Sequence, residues 1–327
     1  MAVTEDLACP TVQLDCLRGL FYLALRRRDP RVANGIPTVE GLLMDSSPKA
    51  FVLARVQFQF GFYTSQRVGK TEEFDPSPEY LTDVGKFSLA DELLYLCPLD
   101  LEKFLSQPQP GRTHKAEDSA IESALKSGRD VIPGVMEGGL TVWDGSKHLI
   151  AYLAGKFSPS LFCGRRVLEL GCGCGLPGLT ALKYGASVVT FQDYNHEVIT
   201  NWTIPNVLLN LGSTLDAEAL KSSVNFYSGD WVQLARRWES EGEQPYDLIL
   251  TAETIYRPDL YDRLLRAVAA TLDKDGSVFL MCKAAYGPGG TLCDFVEAVD
   301  ANGLFRPEIT EIQEDGVVKF IVQLTWK

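Results

Sequence analysis

The sequence predicts an α/β protein built on a mostly parallel, doubly wound sheet that closes on an antiparallel C-terminal hairpin. Three observations carry that prediction. From residue 131 onward, short apolar strand-like runs alternate with amphipathic helical stretches. A glycine-rich turn, Gly171 to Gly178, joins the first such strand to the first helix of the alternation. Finally, residues 303–327 offer two strand-like stretches with no helix between them, joined by Glu314-Asp315-Gly316, a hairpin signal.

Each element follows from local chemistry. Val142-Trp143-Asp144-Gly145-Ser146 opens a helix whose apolar side carries Leu149, Ile150, Tyr152 and Leu153. Arg166–Leu170 is a short apolar run ending in glycines, as a buried strand does. Leu176–Tyr184 reads as a helix, with strands at Val188–Gln192, Val224–Tyr227 and Asp247–Thr251. The helix at Pro258–Leu272 has Pro in its first turn and Leu260, Leu264, Leu265, Val268 and Leu272 on one face. A strand at Val278–Cys282, a helix at Leu292–Val299 and a strand at Lys319–Thr325 complete the series. Three segments result: a 1–55 extension, a weakly ordered acidic lead over 56–130, and the α/β domain over 131–327. Within the lead, a short helix is expected over 89–105.

Composition excludes some functions. Of the 327 residues, 46% are hydrophobic and 23% charged, as in ordinary globular chains, so a wholly disordered protein is ruled out. No apolar run approaches the ~18 residues of a membrane span. The net charge of −12 disfavours direct nucleic-acid binding and suits a small or basic partner. Eight cysteines without a CxxC pair, and only three histidines, argue against zinc. The first residues lack the basic and apolar signature of a secretory leader, so a reduced compartment, cytoplasmic or nuclear, is expected.

The glycine turn reads Val167-Leu-Glu-Leu-Gly-Cys-Gly-Cys-Gly-Leu-Pro-Gly178. Gly173 to Gly178 formally matches GxGxxG, which alone would suggest a dinucleotide pyrophosphate at the helix N-terminus. Glu169 separates the readings. A carboxylate at the mouth of the loop would repel pyrophosphate and favour the cationic amine and sulfonium of S-adenosylmethionine. Cys172 and Cys174 read as small loop fillers.

Further candidates end the following strands. Asp193, in Phe191-Gln192-Asp193-Tyr194-Asn195, can accept from vicinal ribose hydroxyls or cap the next helix. Asp230, in Ser228-Gly229-Asp230-Trp231, can accept an adenine amino group with Trp231 over the purine face, or serve as a helix cap beside a core aromatic. After the fourth strand, Thr251-Ala252-Glu253-Thr254-Ile255-Tyr256 supplies a carboxylate and a phenol where open sheets put their chemistry. Spacing alone leaves Glu253 equally a loop cap.

These blocks carry a family resemblance. Ile132 to Trp143 (with Glu137-Gly-Gly139), Leu168 to Gly173, Phe191 to Asn195, Thr203-Ile-Pro-Asn-Val207, Ser228 to Trp231 and Asp247 to Tyr256 together resemble the histidine protein methyltransferases. Members of that family methylate a histidine of a large-subunit ribosomal protein. Phe58-Gln-Phe-Gly-Phe62 is similar to an aromatic stretch at their start. The resemblance implies a class I, Rossmann-like S-adenosylmethionine-dependent methyltransferase fold. It also implies cofactor contacts from Trp143 with Asp144, Gly145 and Ser146, and from Gly171, Gly173, Gln192, Asp193, Tyr194, Gly229, Asp230, Trp231 and Ala252. Glu253 and Tyr256 are then candidates to orient the target imidazole. A basic ribosomal protein is the expected substrate, with no direct nucleic-acid or membrane partner and a monomeric enzyme. Tyr286-Gly-Pro-Gly-Gly290 is one residue shorter than the family's loop there. Three rivals stand beside this reading: a lysine methyltransferase of the same superfamily, a nicotinamide-dependent oxidoreductase, and a non-catalytic ribosome-assembly factor.

Overall fold

The computed structural model describes residues 128–327 apart from 158, 212–221 and 315–316, preceded by five short strands within 58–96. Strand β1 (Phe58–Phe60) pairs antiparallel with β3 (Glu72–Phe74), and β2 (Tyr63–Thr64) lies between them in sequence. Strands β4 (Gly85–Leu89) and β5 (Glu92–Leu96) form a hairpin. This overturns the helix expected at 89–105 wherever that stretch is described. Lys86-Phe-Ser-Leu89 alternates polar and apolar residues, as a strand does, and Leu89 pairs with Glu92. Leu94 is buried in the main core, so tertiary packing rewards the extended form. Residues 97–105 and the 1–55 extension lie outside the described residues.

From residue 128 the expected alternation is present. A small hairpin, β6 (Val131–Ile132) and β7 (Met136–Glu137), leads to helix α1 (Asp144–Phe157). Then follow β8 (Arg166–Leu170), α2 (Leu176–Lys183) and β9 (Val188–Asp193). A helical run α3 from His196 to Leu211 contains a π turn, Ile199–Thr203. Pro205, just after that turn, has no N–H to continue the regular ladder. The chain continues through β10 (Val224–Ser228), α4 (Trp231–Glu241) and β11 (Tyr246–Ala252). Next come α5 (Tyr261–Thr271), β12 (Leu272–Lys283) and α6 (Leu292–Asn302), and the chain ends in β13 (Phe305–Glu314) and β14 (Val317–Trp326).

The main sheet has the order β13-β14-β12-β11-β8-β9-β10-β2. Strands β12, β11, β8, β9, β10 and β2 run parallel; β14 is antiparallel to β12 and to β13. The predicted fold class therefore holds, terminal hairpin included. Side chains alternate between two cores. Val167, Val189, Phe191, Leu248 and Leu250 face α1, α2 and α3, while Leu168, Leu170, Ile249, Val278 and Leu280 face α4, α5 and α6. This parity decides where Glu169 can point.

Candidate active site

A cavity of about 270 Å³ opens at the C-terminal ends of β8 to β12. Its floor is the glycine turn. Gly171, Gly173 and Gly175 have φ of 66°, 51° and 80°, the left-handed region that glycine tolerates. Gly171 must also be glycine for space, since a Cβ there would stand 2.8 Å from the Thr254 methyl.

The turn is held from behind. Gln192 Oε1 accepts from Gly171 N–H (3.3 Å) and from Trp231 Nε1 (2.8 Å), while Gln192 Nε2 donates to the Gly229 carbonyl (2.8 Å). Asp193 Oδ2 accepts from Gly173 N–H at 2.9 Å and Oδ1 from Asn195 N–H at 3.1 Å. From α3, Thr203 Oγ1 donates to the Gly173 carbonyl (2.7 Å) and Asn206 Nδ2 to that of Cys174 (2.9 Å).

Glu169 sits elsewhere than the sequence reading placed it. Strand parity puts it on the Val167 face, beneath α2, where it is buried and off the cavity wall. Its Oε2 accepts from Gly178 N–H in the first turn of α2 at 2.8 Å. Burial pushes its carboxyl well above the ordinary range, against the pull of the Gly178 N–H. The dinucleotide reading fails for a different reason from the one expected. The helix terminus a pyrophosphate would use is already occupied by this side chain, and the Gly173 and Gly175 N–H groups bond inside the protein.

Three other expected cofactor residues are also displaced. Asp144 is exposed and pairs with Lys147 at 2.9 Å, which lowers its pKa. Gly145 is buried beneath the Glu253 side chain, and a Cβ there would lie 2.5 Å from Glu253 Cγ. Gln192 is buried and props the turn rather than lining the cavity. The remaining candidates do line it: Trp143, Ser146, Gly171, Gly173, Asp193, Tyr194, Gly229, Asp230, Trp231 and Ala252. Asp230 is also the cap of α4, accepting from Val232 N–H at 2.9 Å, and its other oxygen meets Arg263 at 2.5 Å. Burial raises Asp193 to about 6, opposed by its backbone donors.

The other end of the cavity holds Glu253 and Tyr256, with Trp143, Glu137, Arg257, Lys283 and Tyr286. Glu253 has φ of 60°, the one non-glycine residue with positive φ among those described, and its N–H is fixed by the Met281 carbonyl at 2.8 Å. The residue is only 7% exposed; Oε2 has no hydrogen-bond partner and has Lys283 Nζ 4.0 Å away. Burial raises its pKa, partly offset by Tyr286 and Lys283. The loop Tyr286–Gly290 packs directly on this segment. Gly290 N–H donates to the Tyr256 carbonyl (2.7 Å), and a Cβ at Gly290 would collide with the Ile255 carbonyl. Lys283 Nζ stands 5.8 Å from the rings of both Trp143 and Tyr286.

Glu137, Arg257, Lys283 and Tyr286 join the site beyond the residues that the sequence predicts. Glu137 lies in the Glu-Gly-Gly block and Arg257 follows Tyr256 directly, so both carried a signal by position. Lys283 carried none, because only strand pairing brings it beside Glu253.

Sheet order, glycine turn and cavity together define a class I methyltransferase fold, the class that uses S-adenosylmethionine. Residues 133–289 match a family described as lysine methyltransferase. The chain is similar to proteins named histidine protein methyltransferase 1 homolog. It is 37% identical to the histidine protein methyltransferase 1 homolog of Rattus norvegicus over 228 residues, 64% of this chain and 62% of that protein. The Dictyostelium discoideum homolog is 38% identical over 203 residues, 61% of each chain. The chain thus spans about three fifths of the length of these relatives. More distant is a protein N-terminal and lysine N-methyltransferase of Cryptococcus neoformans, 29% identical over 40% of this chain and 42% of its own. Among solved structures, the Synechocystis magnesium protoporphyrin IX methyltransferase with bound SAH has a TM-score of 0.42 at 14% identity, covering 56% of this chain and 83% of its own.

Proposed function

We infer that the chain is a protein-histidine N-methyltransferase that takes its methyl group from S-adenosylmethionine. The observation that carries this reading is the contrast inside one cavity. One end is a glycine turn with Asp193 and Trp231 on its wall; the other is a cluster of aromatic and ionisable groups around Glu253. The cradle fits the cofactor. Asp193 would accept from the ribose, Trp231 would cover the adenine with Asp230 near its edge, and the open backbone at Gly171 and Gly173 would admit the amino-acid portion. When bound, the cofactor supplies an electrophilic methyl on a sulfonium.

The chain's own work is alignment and tautomer selection. In-line displacement gains up to ~7–11 kcal/mol from alignment. An imidazole with an ordinary pKa of about 6.5 is mostly neutral at pH 7, so no strong base is required. An acceptor for the other ring N–H, Glu253 or Tyr256, leaves the nucleophilic lone pair toward the methyl. The expected substrate is a basic protein, since the chain carries a net charge of −12. Following the family resemblance of the sequence blocks, a large-subunit ribosomal protein is proposed as that substrate, met in the cytoplasm or nucleus.

A lysine target is the second reading, favoured by the buried Glu253 Oε2, which makes no hydrogen bond, already has one ammonium 4.0 Å away at Lys283, and could face a second. Mass spectrometry of large-subunit ribosomal proteins incubated with the enzyme and isotopically labelled S-adenosylmethionine decides. Label on histidine upholds the proposal; label on lysine alone replaces it with the second reading.

A further inference from the structure

Tyr256 donates its hydroxyl hydrogen to Glu137 Oε2, and both residues line the cavity. The geometry points to Glu137 as a positioning residue: by holding the Tyr256 proton, it turns the phenol oxygen into a dedicated acceptor for the target imidazole N–H. This rests on the histidine reading above.

A phenol has one hydrogen to give, and an ionised carboxylate can only accept, so the pair has one polarity. Glu137 is held in that role from other sides. Its Oε1 accepts from Gly134 N–H at 2.6 Å, and Arg257 Nη1 stands 3.2 and 3.3 Å from its two oxygens. The Arg257 fork is itself held by Asp259, at 3.1 and 2.9 Å. The hairpin that carries Glu137 is fixed by Asn195, which accepts from Glu137 N–H at 3.2 Å and donates to the Val135 carbonyl at 2.7 Å. Since Asn195 follows Asp193 by two residues, the element that ends at the cofactor floor also sets the acceptor.

The polarity matters for the reaction. The ring nitrogen lone pair forms the N–C bond while the C–S bond breaks and its electron pair goes to sulfur. Positive charge spreads over the ring, the remaining N–H becomes a stronger donor, and its proton later leaves to water. An oxygen that accepts from that N–H gains strength along this path. A phenol that donated instead would compete for the nucleophilic lone pair.

Glu137→Gln in the full chain tests this. The amide oxygen is drawn to Gly134 N–H and Arg257, so the amide NH₂ faces Tyr256 and reverses the polarity. With S-adenosylhomocysteine present, two probes are titrated by NMR: 4-methylimidazole, which has a ring N–H, and 1,5-dimethylimidazole, which has none. Wild type should prefer the first by about tenfold, the size of one good hydrogen bond. Glu137→Gln and Tyr256→Phe should both lose that preference, with S-adenosylhomocysteine affinity unchanged. A Glu137→Gln protein that keeps the preference overturns the inference. So does one that binds S-adenosylhomocysteine poorly and unfolds early while keeping it, since Glu137 would then be only a latch for the hairpin. Labelling of ribosomal proteins separates the two ideas. Lysine label in wild type sinks the histidine reading, and the imidazole preference still decides the role of Glu137.

Discussion

The two ends of the cavity are built on opposite terms. At the glycine turn, the polar groups that shape the floor bond within the protein: Gly171 to Gln192, Gly173 to Asp193, Gly178 to Glu169. At the Glu253 end, a carboxylate oxygen is buried without a hydrogen bond, on a residue of positive φ, beside a lysine 4.0 Å away. The first arrangement makes a rigid seat whose shape precedes any ligand. The second keeps strain and unspent polarity, and such features persist where the surrounding structure holds them for a purpose.

The largest effect expected from breaking this contrast is at Glu253. Glu253→Gln preserves shape and removes charge, and should lower single-turnover methyl transfer 10²–10³-fold, about 2.7–4 kcal/mol for a dry site, with S-adenosylmethionine affinity unchanged. If Glu253 merely caps the loop, the variant will lose thermal stability and keep its rate. Gly145→Ala sharpens the same point, because its Cβ would displace the Glu253 side chain from outside the cavity; slowed transfer with intact cofactor affinity is expected.

At the seat, Glu169→Ala should cost about 2–4 kcal/mol of stability, from a void plus an unpaired Gly178 N–H. Glu169→Gln keeps an acceptor and sheds a carboxyl that burial disfavours, so its denaturation midpoint should stay close to wild type. Equal losses in the two variants would show that charge, and not occupancy of the α2 terminus, is what matters.

Asp193→Ala should weaken S-adenosylmethionine about ten- to a hundredfold in calorimetry without unfolding the chain. The pH dependence is more telling. Burial raises Asp193 to about 6. The folded state thus favours the protonated acid, and this contribution to stability, present below about pH 4, is lost as pH rises through 6. Cofactor affinity should run the other way, falling as pH drops below 6, if the ribose needs the carboxylate. Asp193→Asn should flatten both trends. The smallest effect is expected from deleting residues 1–55: cofactor affinity by calorimetry should be nearly unchanged, because the resemblance begins at Phe58.

Much of this was legible in advance because period and punctuation are local. Strand β8 and helix α2 begin where the apolar run and Pro177 predict, and β13 and β14 pair antiparallel as the terminal hairpin signal predicts. Within the described part of the helix expected at 89–105, Leu89 and Glu92–Leu96, weak local preference yields to pairing: β4 and β5 satisfy each other's backbone, and Leu94 reaches the core. Glu169 was read by its place in the chain, beside the glycines, whereas the pleat turns its side chain under α2.

The sequence by itself determined the order of strands and helices, the sites where glycine alone is tolerated, and the residue types gathered at strand ends. These depend on backbone sterics and hydrophobic period, which act over a few residues. Only the tertiary structure decided which polar groups are spent on each other and which remain for a ligand. Glu137 meets Tyr256 from 119 positions away, and Lys283 nears Glu253 only because β11 and β12 run side by side. Such pairings depend on distances in space, which chain spacing does not encode.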